Sequence, residues 1–236
     1  KSILPLEQYK ILYVFGLSER NQVSKVNSVD LSSFCVENEI VLDLSEDWNI
    51  FHQFCRDNEV DKVITLGDSR ILPPMIVNDF ETIGNHGAIL PDVQGGASLV
   101  WGRMLNAGHW GISIMRIGEK IDSGEILKIK KFHYHEDTTE EQFVNTADFL
   151  TVQALVEVLH GDYSPSPNKP WSVRVRKHTD SYKVKNILRT CLESETPIYL
   201  PPRTPEDSAV RSSWPKDFQN AFKVAQNAPY PLWTKK

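Results

Sequence analysis

The sequence predicts an α/β fold, because short apolar segments with strand character alternate along the chain with segments of helical periodicity. Residues 9–16 form a β-branched and aromatic run that ends in Gly16, which is typical of a buried strand. Residues 139–159 carry the amphipathic pattern of a long helix, and Gly161 fits the position of its C-cap. This alternation favours a sheet covered by helices.

The remaining elements follow from the same two periodicities, with glycine and proline marking the turns between them. Strands are predicted at residues 9–16, 39–42, 60–67, 111–117 and 126–132. Helices are predicted at residues 29–37, 47–58, 95–107 and 139–159.

Composition limits the classes of function. The chain has 236 residues, long enough for one domain with an appendage, and 26 basic against 31 acidic residues give a net charge of −5. An acidic chain argues against a broad phosphate-binding surface, so no nucleic-acid partner is expected. No apolar run approaches the ~20 residues of a membrane span, and no signal-peptide pattern opens the chain, which favours a cytoplasmic protein without membrane contact.

The three cysteines are predicted to be packing residues. Cys35, Cys55 and Cys191 are odd in number, widely spaced and without a CxxC pattern, so neither a disulfide framework nor a zinc site is indicated. His133 and His135 stand beside acidic residues, but a solvated strand end explains them better than a metal site does. No metal is expected.

A change of composition divides the chain. Residues 164–170 are rich in Pro, Ser and Asn, which marks a linker or rigid loop. We therefore predict an α/β core at residues 1–163, a linker at 164–170 and a C-terminal subdomain at 171–236.

Two polar residues stand out in separate glycine-containing segments. His86 lies within residues 84–96 and Asp122 within residues 121–126, and both segments are flanked by apolar residues. Side chains presented at strand ends are expected in such segments. A histidine or an Asp-Ser-Gly turn alone would be ordinary structure, but their order and spacing together indicate an active site.

These segments resemble those of the folate-dependent formyltransferases, in which an Asn-x-His-x-Ser-Leu-Leu-Pro segment precedes an Asp-x-Gly segment. Here the matching residues are Gly84 to Pro91 and Asp122-Ser123-Gly124. Arg203-Thr204-Pro205-Glu206-Asp207 and the Pro-Tyr-Pro at 229–231 are similar to later segments of the methionyl-tRNA and sugar-amine formyltransferases. With residues 68–73 also matching, the resemblance runs from about residue 55 to the C-terminus.

The resemblance implies a Rossmann-like formyltransferase core with a small C-terminal extension. Members of the family begin with a strand and a helix before the strand that matches residues 11–15, whereas only residues 1–8 precede it here. The favoured interpretation is that the first βα unit is missing. The alternative takes residues 11–16 as the first strand, which leaves a short interval before the histidine.

The resemblance also assigns catalytic roles. Formyl transfer to an amine passes through a tetrahedral oxyanion, so a donor must face that oxygen and the proton of the amine must leave. By analogy His86 supplies the donor, while Asp122 orients it and accepts the proton. Gly84 stands where the family has its catalytic Asn, and Asn85 can replace that side chain only if the backbone kinks. Activity is therefore expected to be weakened or lost if no kink occurs.

Co-substrate and acceptor residues are implied in the same way. The resemblance implies 10-formyltetrahydrofolate as the formyl donor, with its pterin in a slot formed by Arg70, Ile71, Leu72, Gly118, Glu119 and Ile121. The acceptor is expected to be a small-molecule sugar nucleotide contacted by Gln94, Trp101, Arg174 and Arg176. A homodimer is left open.

A local basic cluster lies between Arg174 and Arg189 of this acidic chain. One interpretation is a solvated face, and the other is a site for the diphosphate of the acceptor. The function predicted from the whole sequence is transfer of a formyl group to the amine of a nucleotide-linked amino sugar. The alternatives are a catalytically impaired homologue that binds or regulates, and an enzyme like methionyl-tRNA formyltransferase.

Overall fold

A computed structural model of the chain describes residues 8–22, 29–68, 70–227 and 234–235. It contains two compact units, residues 1–61 and residues 62–236.

Unit 1 is a two-stranded parallel sheet packed with aromatic side chains. Its elements are β1 (Tyr13–Phe15), α1 (Glu19–Gln22), α2 (Ser32–Glu37), β2 (Val41–Asp43) and α3 (Trp48–Asp57). The ring of Phe51 on α3 stacks on Phe15 of β1. The Tyr13 hydroxyl donates a hydrogen bond of 2.6 Å to Asp43 Oδ2. Burial, followed by this carboxylate, raises the pKa of Tyr13.

Unit 2 contains the two larger sheets. Its strands are β3 (Lys62–Thr65), β4 (Glu81–His86), β5 (Val93–Gly95), β6 (His109–Arg116), β7 (Ile126–His133), β8 (Val173–Arg174), β9 (Ile198–Leu200), β10 (Ala209–Val210) and β11 (Thr234–Lys235). Its helices are α4 (Pro74–Asp79), α5 (Ser98–Leu105), α6 (Glu140–Leu159), α7 (Ser181–Glu193) and α8 (Lys216–Val224), and a 3-10 turn spans Pro205–Ser208.

The first sheet has the strand order β3–β4–β6–β7. Strands β3 and β4 are parallel, and β4 and β6 as well as β6 and β7 are antiparallel. Helix α6 packs on β6 and β7 with Phe143 fully buried. Thr139 begins the helix with a capping box, since its side chain accepts from the Gln142 N–H while the Gln142 side chain accepts from the Thr139 N–H.

The second sheet has the order β5–β9–β8 with all strands parallel. In its register Gln94 pairs with Tyr199, and Tyr199 pairs with Arg174. Residues on the two sides of the predicted linker at 164–170 therefore share one sheet. The predicted division of the chain at that linker stays a prediction.

The predicted α/β fold class is confirmed. All five predicted strands and all four predicted helices occur, with ends that differ by a few residues. The largest difference is at residues 9–16, where only Tyr13–Phe15 is strand because the partner β2 offers just three residues for pairing. The predicted Pro-Tyr-Pro at 229–231 lies outside the described residues. None of the described helices has the length and apolar character needed to cross a membrane.

Candidate active site

His86 is the last residue of β4, where a strand gives way to a glycine-rich turn. The strand is held on both sides, by β3 and by β6, and His86 pairs with Ser113 in the register. The Ser113 hydroxyl donates to the Ala88 carbonyl at 2.8 Å and accepts from the Leu90 N–H at 3.0 Å. The chain following His86 is therefore fixed by a buried side chain of the neighbouring strand.

The structure brings His86 and Asp122 together. Their Nδ1 and Oδ1 atoms are 3.4 Å apart, and the side chains are only 7% and 11% exposed. His86 Nε2 lies 2.9 Å from the Val93 carbonyl oxygen. Because a carbonyl can only accept, Nε2 carries a hydrogen, and Nδ1 is the ring nitrogen that faces the carboxylate.

Asp122 is held at its other oxygen and at its backbone. Asp122 Oδ2 accepts a hydrogen bond of 2.7 Å from the Gly95 N–H. The Asn168 side-chain amide donates to the main-chain carbonyls of Asp122 at 2.7 Å and Gly124 at 3.1 Å. Asp122 adopts a left-handed backbone with φ of 48°, a conformation that Asp and Asn tolerate better than most residues. Gly124 is required where it stands, because a Cβ there would collide with the Arg116 carbonyl.

Gly84 leaves space that another side chain fills. Gly84 and His86 lie on the same face of β4, since they are two residues apart on a strand. A Cβ at Gly84 would come within 2.6 Å of Ile117 Cδ1 and 2.9 Å of Thr65 Cγ2. Ile117 therefore packs over Gly84, in the space that the Asn of the related enzymes would need.

Asn85 is not brought to the pair. The register between β4 and β6 continues without interruption from Ile83 to His86, so the kink on which the role of Asn85 depended does not occur. Adjacent strand residues face opposite sides, which places the Asn85 side chain away from His86. Its Oδ1 accepts a hydrogen bond of 3.2 Å from the Gly67 N–H, at the end of β3.

The residues predicted to bind the pterin follow two strands of the first sheet. Arg70, Ile71 and Leu72 come after β3, and Gly118, Glu119 and Ile121 come after β6 and lead directly to Asp122. Arg70 Nη2 forms an ion pair of 2.7 Å with Asp68. Ile71 is 71% exposed and Ile121 is 49% exposed, although both side chains are apolar. Their role in binding stays a prediction.

Two of the residues predicted to contact the acceptor are buried. Gln94 is 2% exposed, and its Nε2 donates to the Lys169 carbonyl at 2.8 Å and to the Pro91 carbonyl at 3.2 Å. Trp101 lies on α5 in the hydrophobic core, with the Arg203 guanidinium 4.9 Å from its ring centroid. These contacts give both side chains a structural role in holding the surrounding segments.

The other two predicted acceptor residues, Arg174 and Arg176, are exposed. One member of the basic cluster, Lys185, does not belong to an exposed surface, because it is buried with its Nζ 5.1 Å from the centroid of the Phe218 ring. Burial, followed by the charge of Arg189, lowers the pKa of Lys185. Among the described residues no group of three or more His, Cys, Asp or Glu side chains is placed to hold a metal ion.

Three groups that shape the site were not found from the sequence. They are the Val93 carbonyl, the Gly95 N–H and the Asn168 amide. The first two belong to the main chain, so no residue type identifies them. Asn168 lies in the segment assigned to a linker, where its single amide gave no signal of a contact with a distant turn.

The fold and the pair at the end of β4 define a class of protein: an α/β protein with a buried histidine and aspartate held by main-chain groups. The sequence profile described as formyl transferase matches residues 19–159, more than half of the chain. The chain belongs to the formyl transferase family.

Curated relatives include methionyl-tRNA formyltransferase from Listeria monocytogenes. It is 25% identical over 183 residues, which cover 74% of this chain and 54% of the relative. The chain thus spans about half the length of this curated relative.

Solved structures with the same fold include methionyl-tRNA formyltransferase from Clostridium thermocellum, with a TM-score of 0.63, 16% identity and coverage of 96% of this chain and 88% of the other. Another is WlaRD, a sugar 3N-formyltransferase crystallised in the presence of dTDP and 5-N-formyl-tetrahydrofolate. Its TM-score is 0.55 at 12% identity, covering 91% of this chain and 68% of WlaRD. At these identities the likeness concerns the fold alone.

Proposed function

We propose that this protein transfers a formyl group from 10-formyltetrahydrofolate to the amino group of a nucleotide-linked amino sugar. The observation that carries the proposal is the His86–Asp122 pair, buried together and held by the Val93 carbonyl and the Gly95 N–H. Acyl transfer to an amine needs a group that takes up a proton in the same place where negative charge develops on an oxygen.

The pair is suited to hold a proton. With a hydrogen on Nε2, the neutral imidazole presents the lone pair of Nδ1 to the carboxylate of Asp122, and two acceptors then face each other across 3.4 Å. A proton placed on Nδ1 turns this repulsion into a charge-assisted attraction. Asp122 can take the proton that leaves the attacking amine and pass it to His86 Nδ1, and the imidazolium that results can donate that proton to the developing oxyanion.

The neighbouring residues fit a formyl-folate. When bound, that co-substrate would supply the carbonyl carbon that the amine attacks. Ile71 and Ile121 expose apolar surface on the two segments predicted to hold the pterin, and Ile121 directly precedes Asp122. WlaRD, which has this fold, was crystallised with a formylated tetrahydrofolate.

Two observations support a sugar nucleotide as the acceptor. The chain has a net charge of −5, which disfavours the long phosphate backbone of a tRNA. WlaRD, which has this fold, is a sugar 3N-formyltransferase that was crystallised in the presence of dTDP. The names of the curated relatives make methionyl-tRNA the competing acceptor, and any experiment must include it.

The test is a formyl-transfer assay with 10-formyltetrahydrofolate and two groups of acceptors, dTDP- and UDP-linked amino sugars and methionyl-tRNA. We expect formylation of at least one amino sugar nucleotide, with Asp122→Asn inactive in parallel. Formylation of methionyl-tRNA alone would contradict the proposed acceptor.

A second candidate function, a catalytically impaired homologue that binds its ligands, is favoured by Gly84 and Ile117. The face of β4 that carries His86 lacks the amide donor of the related enzymes, and Ile117 fills its space. Loss of one such donor typically costs about 3 kcal/mol in the barrier. A single-turnover measurement separates the two functions, because an impaired homologue would bind formyl-folate without releasing a formylated product.

A further inference from the structure

A row of side chains crosses the second sheet of unit 2, beginning beside the His86–Asp122 pair. Strand β5 supplies the pair with the Val93 carbonyl and the Gly95 N–H, and Gln94 lies between these two residues. In the register Gln94, Tyr199 and Arg174 are paired across β5, β9 and β8, so their side chains lie on the same face. Two interstrand steps separate Gln94 from Arg174, a span of about 10 Å.

The far end of this row carries an exposed tryptophan that is held on both sides. Trp171 is 40% exposed. Before it in sequence, the Lys169 carbonyl accepts from Gln94 and the Asn168 amide binds the Asp122 turn. After it, the Ser172 N–H donates to the Pro197 carbonyl at 2.8 Å. The backbone on both sides of Trp171 is therefore held by hydrogen bonds, on one side to segments that adjoin the catalytic pair.

Trp171, Tyr199 and Arg174 form an aromatic and cationic group that we name the ring platform. The two ring centroids are 5.8 Å apart. The Arg174 guanidinium carbon lies 5.7 Å from the centroid of the Trp171 ring and 5.4 Å from that of the Tyr199 ring. Trp171 is the exposed ring of this group, and an exposed aromatic ring beside an arginine can bind a nucleic-acid base by stacking and its phosphate by charge.

We propose that the ring platform binds the base of a nucleoside diphosphate, with Arg174 contacting the adjoining phosphate. This proposal rests on the proposed function and names the part of the acceptor that the protein recognises. The base would bind about 10 Å from Gln94, at the exposed end of the row that carries Arg174 and Trp171.

The test is direct binding by calorimetry, in the absence of folate, with UDP, dTDP and ADP as probes and with inorganic pyrophosphate as a base-free probe. We expect Trp171→Leu to raise the Kd of the nucleoside diphosphates at least fivefold, since the base then loses the ring on which it stacks. The same variant should bind pyrophosphate as the wild type does. Arg174→Gln should raise the Kd of both the nucleoside diphosphates and pyrophosphate.

Two control variants sharpen the result. Phe149→Leu removes another exposed aromatic ring, on α6, and should leave every Kd unchanged. Trp171→Phe keeps an aromatic ring, so it should bind the nucleotides within about threefold of the wild type. We expect the nucleotides to change the tryptophan fluorescence of the wild type and to leave that of Trp171→Phe unchanged. A nucleotide-dependent fluorescence change that persists in Trp171→Phe would overturn the proposal.

The proposal is also overturned if the wild type binds no nucleoside diphosphate more tightly than pyrophosphate. His86→Ala should leave nucleotide binding intact, which separates this site from catalysis. A protein that binds these nucleotides at Trp171 and transfers no formyl group contradicts the proposed function alone. A protein that formylates a nucleotide-linked amino sugar with the same Michaelis constant in Trp171→Leu as in the wild type contradicts the ring platform alone.

Discussion

Two of the buried groups of ionisable side chains in unit 2 differ in how their polar atoms are satisfied. At the candidate site, the Asp122 carboxylate has the Gly95 N–H and the His86 ring as neighbours. In the other group Arg103 and Glu140 are each 1% exposed, and neither carboxylate oxygen of Glu140 has a hydrogen-bond partner. Burial raises the pKa of Glu140 to about 8, and the charge of Arg103 only partly offsets that rise.

The difference lies in where Arg103 directs its donors. Its guanidinium donates to the carbonyls of Glu136 at 2.9 Å and Thr138 at 2.8 Å and to Asn106 Oδ1 at 3.0 Å. These bonds hold the turn that leads into α6 and leave Glu140 without a direct partner. A buried carboxylate without hydrogen bonds holds its proton to higher pH, because burial disfavours its charged form. The hydrogen-bonded arrangement of Asp122 suits catalysis. The unpartnered carboxyl group of Glu140 lowers the stability of the protein at high pH.

The largest expected effect is that of Asp122→Asn on turnover. The amide can still accept from the Gly95 N–H and can donate to His86 Nδ1, and Asn tolerates the left-handed backbone, so the fold should be retained. It cannot take up a proton, so the rate of formyl transfer should fall by about 10³-fold or more. Stopped-assay kinetics and thermal unfolding check both statements. Turnover near that of the wild type would show that Asp122 is not the proton acceptor.

The next effect is that of His86→Ala. Loss of the imidazole removes the donor to the oxyanion and should reduce turnover by about 100-fold, while the Kd for formyl-folate changes little. Binding is measured by fluorescence titration and turnover by product formation. If the Kd for formyl-folate rises strongly in His86→Ala while turnover at saturation is kept, His86 is a binding residue and does not act with Asp122 in catalysis.

Glu140→Gln tests the second group through the pH dependence of stability. The folded protein keeps the Glu140 proton up to about pH 8, whereas the unfolded chain releases it near the ordinary value of 4.5. The free energy of unfolding of the wild type should therefore fall as the pH rises between these values, and the variant should lack this fall. We expect the variant to be more stable by about 2–4 kcal/mol at pH 8 and similar at pH 4.

Denaturant unfolding at several pH values measures this difference, and the matched control is Glu141→Gln at the exposed neighbouring position. The control should follow the wild type throughout. A parallel pH dependence in Glu140→Gln and the wild type would mean that Glu140 is ionised in the folded protein through contacts that the structure does not contain.

The smallest effect concerns Gly84 and asks whether the catalytic face can accept the amide of the related enzymes. Gly84→Asn should lower the free energy of unfolding by about 1–3 kcal/mol, because its Cβ meets Ile117 and Thr65. Adding Ile117→Ala should return part of that loss and raise turnover several-fold over Ile117→Ala alone. Full stability of Gly84→Asn by itself would refute the packing described for Ile117.

The His86–Asp122 pair and the Arg103–Glu140 group also differ in how far the sequence predicts them. His86 and Asp122 lie in short glycine-containing segments whose order and spacing are recognisable without a structure. Arg103 and Glu140 gave no such signal, because each is an ordinary residue in a helical pattern and only packing removes it from water. Gln94 and Trp101 were expected at the acceptor, and the structure shows both buried against other parts of the chain.

The sequence by itself determined the fold class, the family resemblance and the two side chains of the candidate site, because hydrophobic periodicity and turn residues are local properties of the chain. Only the tertiary structure decided which neighbours those side chains have. The Val93 carbonyl, the Gly95 N–H and the Ile117 methyl are presented by backbone and side chains that many sequences could supply. Their positions follow from strand register and close packing, which bring together residues that are distant along the chain.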